Sequence, residues 1–324
     1  MRELDNRTIK MFSRLGSCGV YGMAMADLAE DDDSLAVLTA DLCYYSGLDG
    51  FSKKYPELLY NVGIAEQNLI GVAAGLAKEG CVPFASTYAS FAVTRALDQV
   101  RVNMGYMQLP IKLVGLTSGF SVGILGATHI CIEDLAIMRS IPNIVILSPA
   151  DGVETYKALI AASKYEGPVY IRMTGTMGLP IVYDSNIDYT IGKAITIKDD
   201  GEIAIIATGT MVSQSKEAVK ILNDKGINCK LIDMHTIKPL DCDCIYELLK
   251  TSKLIVTVEE HSIYGGLGGT VAEILSGEVY RPPHLIIGVE DEYSHAASYE
   301  YLLDKYNLTS QKIAEKIINK IKEI

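Results

Sequence analysis

Short runs of four to six apolar residues, rich in valine and isoleucine, recur along this chain, and longer amphipathic or small-residue segments separate them. That alternation leaves few folds open. A run apolar at every position reads as a strand buried on both faces, and parallel strands wrapped by helices provide such burial. The first half offers strands at 35–39, 111–116, 144–147 and 169–172, with helical stretches near 65–79, 89–104, 133–140 and 152–164. After Arg172 the pattern breaks into Met-Thr-Gly-Thr-Met-Gly-Leu-Pro and then a polar stretch containing Asp184, Ser185, Asn186 and Asp188, which reads as a linker. A second alternation follows, with strands at 203–207, 230–233, 254–258 and 285–289 and helices near 212–225, 241–250, 268–276 and 309–321. The expected fold class is α/β, with two doubly wound domains over 1–185 and 186–324. No repeat at a fixed period and no low-complexity tract supports a solenoid or scaffold.

Composition narrows the function classes. The chain has 324 residues, 49% hydrophobic and 21% charged, which is enough apolar material for two cores. Its 40 acidic and 29 basic residues give a net charge of −11, which disfavours nucleic acid or an anionic membrane as partner, so a phosphorylated ligand needs locally placed arginines. The first eight residues lack the apolar centre of a signal peptide, and no apolar run approaches the roughly 18 to 20 residues of a membrane span. Seven scattered cysteines, mostly inside apolar stretches, fit a reducing compartment, and a cytoplasmic location is expected. Cys242 and Cys244 form a lone Cys-x-Cys without a second cluster, so no metal site is assigned there.

The segment Asn61-Val-Gly-Ile-Ala-Glu66-Gln-Asn68 stands just before an expected helix, which places Glu66 in its first turn. The helix dipole alone favours an acidic residue there by about 0.5 kcal/mol, so position by itself does not separate capping from catalysis. Tyr88 and Phe91 follow in Thr-Tyr88-Ala-Ser-Phe91-Ala-Val-Thr-Arg95. Their spacing of three puts both rings on one face of an expected helix, as a stacking platform or as a core stripe. Asp41, in Leu38-Thr-Ala-Asp41-Leu, stands after a strand, at the edge where open α/β sheets place ligands. Arg14 and Arg172 carry guanidinium groups able to grip a phosphate through two parallel hydrogen bonds.

Taken together, these segments resemble the thiamine diphosphate-dependent transketolase family, and in particular the C-terminal subunit of a split, two-chain transketolase. The resemblance implies that Glu66 hydrogen-bonds N1′ of the cofactor's aminopyrimidine and favours the imino tautomer whose 4′ nitrogen removes the thiazolium C2 proton. It places Asp41, Tyr88, Phe91 and Arg95 at the cofactor, and Arg14 and Arg172 at the substrate phosphate. His129, in Gly123-Ile-Leu125-Gly126-Ala-Thr128-His129-Ile130, matches a histidine that contacts the substrate's hydroxyls and helps handle their protons. Ile205-Ile-Ala-Thr-Gly-Thr-Met-Val-Ser, Ile237-Lys-Pro-Leu-Asp and Val256-Thr-Val-Glu-Glu-His261 are similar to the family's C-terminal domain, so the likeness covers nearly the whole chain.

Two departures stand out. Leu125 occupies the place of an aspartate that hydrogen-bonds a sugar hydroxyl, and Ile130 that of a glutamine, so the accepted sugar is expected to change, in favour of a deoxy or otherwise modified one. The Gly-Asp-Gly motif, with its later asparagine for magnesium and diphosphate, is also missing. Asp200-Gly201 comes nearest and reads as a hairpin turn before the strand at 203. The resemblance therefore implies a partner, an N-terminal subunit that binds Mg2+ and the diphosphate, in an α2β2 heterotetramer. Gly266-x-Gly268 lacks the third glycine of a dinucleotide loop and reads as a tight turn into a helix, with His261 assigned to structure or a subunit interface. The implied reaction is ketol transfer from a ketose or ketose phosphate to an aldose. The alternatives are a 1-deoxyxylulose 5-phosphate synthase-like enzyme, a 2-oxo acid dehydrogenase beta subunit, or a noncatalytic subunit that kept the fold.

Overall fold

The structure, a computed structural model, describes residues 2–324. The strands, in chain order, are β1 (Leu35–Thr39), β2 (Leu59–Asn61), β3 (Val82–Tyr88), β4 (Lys112–Leu116), β5 (Val145–Leu147), β6 (Val169–Arg172), β7 (Ile195–Lys198), β8 (Ile203–Ala207), β9 (Cys229–Asp233), β10 (Thr236–Lys238), β11 (Leu254–Ser262) and β12 (His284–Val289). They form a seven-stranded sheet, β10-β5-β6-β4-β3-β1-β2, and a five-stranded sheet, β12-β11-β8-β9-β7. Every pairing is parallel except β10 with β5 and β7 with β9. The expected α/β class with two domains is therefore what the chain forms.

Layering follows from which residues are apolar. The helix Asn6–Leu28 is capped by Asp5, which accepts the Thr8 amide at 2.7 Å, and it lays Phe12, Val20, Tyr21 and Met25 on one face of the first sheet together with the helix Gly152–Ser163. The helix Glu66–Lys78 covers the other face through Leu69, Ile70 and Ala73. Each such fully buried Leu, Ile or Phe contributes about 1.5–3 kcal/mol. At Gly16 the first helix kinks, with φ at 71°, and an added Cβ would lie 2.8 Å from Thr176 O, so the kink lets the helix pass close to the segment after β6. None of the described helices is long and apolar enough to cross a membrane.

Several details differ from the sequence-based expectation. β3, a central strand, escapes notice because Pro83 is its second residue and Ala85, Ser86 and Thr87 fill its middle in place of branched apolar residues. Pro83 is tolerated because β1 alone flanks it; β4 joins the ladder only from Phe84. β10 comes from the second half of the chain yet extends the first sheet, so one apolar cluster runs from Leu38 and Leu69 through Ile146 into Ile206, Ile232 and Ile255. Asp200-Gly201 does not close a hairpin, since β7 and β8 are not neighbours: β9 lies between them.

Candidate active site

Because β1 to β6 run parallel, the loops after β1, β2, β3 and β4 all emerge at one edge of the first sheet. The strand ends, loops and helix starts at that edge carry Asp41, Glu66, the pair Tyr88 and Phe91, and His129. Glu66 is the first residue of its helix and is only 3% exposed. Its Oε1 accepts a hydrogen bond from Arg95 Nη1 at 2.7 Å. The Arg95 guanidinium lies 4.1 Å above the Phe91 ring, a cation–π contact. Phe91 and His129 meet edge to face at 5.3 Å, Tyr88 and His129 at 5.6 Å, and Tyr88 and Phe91 at 6.0 Å. One connected cluster thus joins Glu66, Arg95, Phe91, His129 and Tyr88.

The two rings do not meet for the expected reason. Tyr88 is the last residue of β3, whereas Phe91 opens a wide helical turn over Phe91–Arg95, so the strand-to-helix corner rather than a helical face brings them together. That wide turn also places Arg95 back over Phe91, and Gln67 Nε2 ties it down by donating to the Arg95 carbonyl at 3.2 Å. Burial pushes the Tyr88 phenol above its ordinary value, with smaller contributions from Tyr45 and Cys18, so the ring stays neutral at physiological pH.

Asp41, on the neighbouring loop, is held by a residue to which sequence reasoning gave no role. The Asn61 amide donates to Asp41 Oδ1 at 3.2 Å, while its oxygen accepts the amides of Asp41 at 3.1 Å and Gly63 at 3.0 Å. Asp41 sits at φ 59°, a left-handed conformation that aspartate tolerates better than most residues. Asn61 opens the motif that carries Glu66, which was the available signal.

The substrate assignments divide. Leu125 is 45% exposed in the short turn Gly123–Thr128 that ends at His129, so it stands on open surface beside the cluster. Ile130, by contrast, is 2% exposed and belongs to the second domain's core, which removes it from any pocket. Arg14 lies on the outer face of the first helix, around a surface hollow with Arg7 and Lys10; its neighbour Leu15 also lines a cleft of about 700 Å³ bordered by Ser17, Tyr45, Thr117 and Met177.

Arg172 must be reassigned. It is fully buried, its Nε donates to both oxygens of Asp134 at 3.0 and 2.9 Å, and its Nη2 donates to the Glu260 carbonyl at 2.8 Å. Tyr170 OH completes the set by donating to Asp134 at 2.8 Å. A guanidinium committed in this way has no surface to offer a phosphate, so Arg172 is a strut between β6 and the second domain, and Asp134 is the partner that sequence reasoning missed. His261 is likewise buried, its Nε2 facing the Ala136 amide at 3.3 Å.

Chemically, the cluster suits a flat, nitrogen-bearing heterocycle. Glu66 offers a buried carboxyl group at the sheet's open edge, and Tyr88 and Phe91 offer ring faces.

The chain matches two family models, described as the transketolase pyrimidine binding domain over residues 17–177 and the transketolase C-terminal domain over residues 192–313. It is 39% identical to a transketolase C-terminal section of Methanocaldococcus jannaschii over 94% of this chain and 95% of that protein. A 6-deoxy-6-sulfo-D-fructose transketolase subunit of Clostridium sp. (strain MSTE9) is 36% identical over 90% of each. Among solved structures, a split-gene transketolase described as an inactive β4 tetramer superposes with a TM-score of 0.85 at 38% identity, covering 94% of this chain and 97% of that one. The chain belongs to the transketolase family and carries its pyrimidine-binding and C-terminal domains.

Proposed function

We propose that this chain is the pyrimidine-activating subunit of a two-chain, thiamine diphosphate-dependent transketolase. It transfers a two-carbon ketol unit from a ketose or ketose phosphate to an aldose. The observation that carries this reading is the geometry of Glu66: a buried carboxyl at the open end of a parallel sheet, hydrogen-bonded to Arg95 and flanked by Phe91, with Tyr88 and His129 beyond.

The cofactor would supply, when bound, a thiazolium ring whose cationic nitrogen serves as the electron sink for carbon–carbon bond cleavage and formation. The chain's own residues do the rest. Glu66 holds a proton at N1′ of the aminopyrimidine, Tyr88 and Phe91 exclude water from the ring face, and Arg95 fixes the carboxyl. Asp41, oriented by Asn61, borders the same ring. His129 faces the sugar and handles protons at its hydroxyls. Arg14 is the arginine left to meet an anionic end of the substrate.

Mg2+ and the diphosphate belong, in this reading, to an N-terminal partner subunit carrying Gly-Asp-Gly, in an α2β2 assembly. The exposed apolar rim beside the cluster supports such a partner, with Tyr44, Tyr45 and Ile64 at 76%, 62% and 79% exposure on the loops after β1 and β2. A modified ketose is supported by Leu125 and by the name of the Clostridium relative. The seven unpaired thiols support a cytoplasmic location.

The test is to purify the chain with its partner, add thiamine diphosphate and magnesium, and measure two-carbon transfer from xylulose 5-phosphate and from deoxy or sulfonated ketoses to ribose 5-phosphate. Turnover lost in Glu66→Gln supports the reading. Turnover indifferent to that substitution would mean the subunit is noncatalytic.

A further inference from the structure

Where the second domain meets the first, three carboxyl groups are sealed from solvent. Asp151 is 2% exposed, and Glu154 and Asp233 are fully buried. Among the described residues none of the three forms an ion pair with a lysine or arginine, and no set of histidine, cysteine or acidic ligands converges there to hold a metal ion. Lys216, on the helix Met211–Asn223, donates instead to the Val182 carbonyl at 2.8 Å.

Asp151 is satisfied by backbone. It caps the helix Gly152–Ser163, its Oδ1 accepting the Glu154 amide at 3.0 Å and its Oδ2 the amides of Val182 and Tyr183 at 2.8 and 2.9 Å. The other two carboxyls are each half satisfied. Glu154 Oε2 accepts the Ala150 amide at 2.6 Å, and Asp233 Oδ2 accepts the Tyr183 hydroxyl at 2.7 Å. Glu154 Oε1 and Asp233 Oδ1 are buried with no donor, and the two side chains lie within hydrogen-bonding reach of each other. Two facing carboxylates without a cation would cost several kcal/mol in such a site. A proton between the two orphaned oxygens removes one charge and satisfies both.

We propose that Glu154 and Asp233 share one proton between Oε1 and Oδ1 at neutral pH, forming a proton-held bridge that fastens the second domain to the first. Glu154 stands on the helix after β5 and Asp233 ends β9, so the bridge crosses the junction between the sheets. The other groups packed around it carry no positive charge. Tyr183 and Tyr189 are phenols raised by burial, and His235, stacked on Tyr189 at 4.2 Å, is held neutral because burial lowers it to about 4. Burial raises both carboxyls above their ordinary range.

The sign follows from linkage. The folded pair keeps a proton that the unfolded carboxyls, with ordinary values near 4, release. Stability from this source is fully present below about pH 4 and declines as pH rises toward the folded value, the unfolding constant increasing about tenfold per pH unit for one retained proton.

The experiment is denaturant unfolding of the full chain at pH 6, 7 and 8, wild type against Asp233→Asn. The asparagine amide donates to Glu154 Oε1 in place of the shared proton and its carbonyl accepts from Tyr183, and the charge of Asp233 that further raises Glu154 is gone. All other titrating groups are common to both proteins and cancel in the difference. The wild-type unfolding constant is expected to rise more steeply with pH than the variant's between pH 6 and 8, approaching about tenfold per pH unit while one proton is retained. Parallel profiles would overturn the bridge. Infrared spectroscopy of the folded wild type at pH 8 gives a second readout: a protonated-acid carbonyl band that Asp233→Asn, or Glu154→Gln should the first variant not fold, removes. If the wild type lacks that band, or the substitution leaves it unchanged, the proposal fails.

Discussion

Two arginine–carboxylate pairs on the same sheet show how position decides what a salt bridge does. Arg95 and Glu66 meet at 2.7 Å at the open edge, where the arginine side chain is 47% exposed. Arg172 and Asp134 meet at 2.9 Å with both side chains fully buried, and Arg172 also holds a carbonyl of the second domain. The arginine of the first pair can exchange its partner for water, whereas the Glu66 carboxyl, its side chain 4% exposed, is left for a bound group to meet. The second pair cannot exchange, because removing either member leaves a charge in a medium that does not solvate it. Exchangeable charge suits binding, and locked charge suits architecture.

The contrast can be broken or sharpened by substitution. The largest expected effect is on catalysis. Glu66→Gln should lower ketol transfer by the reconstituted enzyme about 100-fold or more, read as kcat/KM, while leaving the fold intact. Next, Arg172→Ala should destabilise the chain by about 3–5 kcal/mol in denaturant unfolding, since Asp134 is left buried and unpaired. A stability change below about 1 kcal/mol, with substrate KM raised, would return Arg172 to the substrate. Leu125→Asp should shift the ratio of kcat/KM between a hydroxylated ketose and its deoxy analogue by about 10-fold or more toward the former, as a restored hydroxyl acceptor would. Equal ratios would show that the turn before His129 does not face the sugar. The smallest effect on stability is expected from Arg95→Ala, about 1 kcal/mol, because the arginine is half exposed although the Glu66 carboxyl beside it is buried, while cofactor binding measured by titration of the assembled enzyme should weaken.

Strands dense in Val, Ile and Leu were legible because burial on both faces imposes one composition, and β1, β6 and β8 fall on the expected residues. Strand β3 was not legible, since its fitness for the sheet comes from neighbours that leave room for Ala85, Ser86 and Thr87 rather than from its own hydrophobicity. The site divides the same way. The motif around Glu66 announces itself through a run of eight residues, and its position at the start of a helix could be read directly. Tyr88 and Phe91 were paired correctly but by the wrong geometry, because the corner between a strand and a wide helical turn has no periodic signature.

The sequence by itself determined the α/β class, the order of the two domains, the family and the motif around Glu66, all of which rest on local composition or on short contiguous segments. Only the tertiary structure decided that Arg95 belongs to Glu66, that Arg172 belongs to Asp134, that β10 crosses over to the first sheet, and that Glu154 meets Asp233. Each of these depends on burial and on partners distant in sequence. An arginine beside a cleft and an arginine sealed in a junction are written with the same letter, and only their surroundings set the solvation that separates a ligand-binding group from a strut.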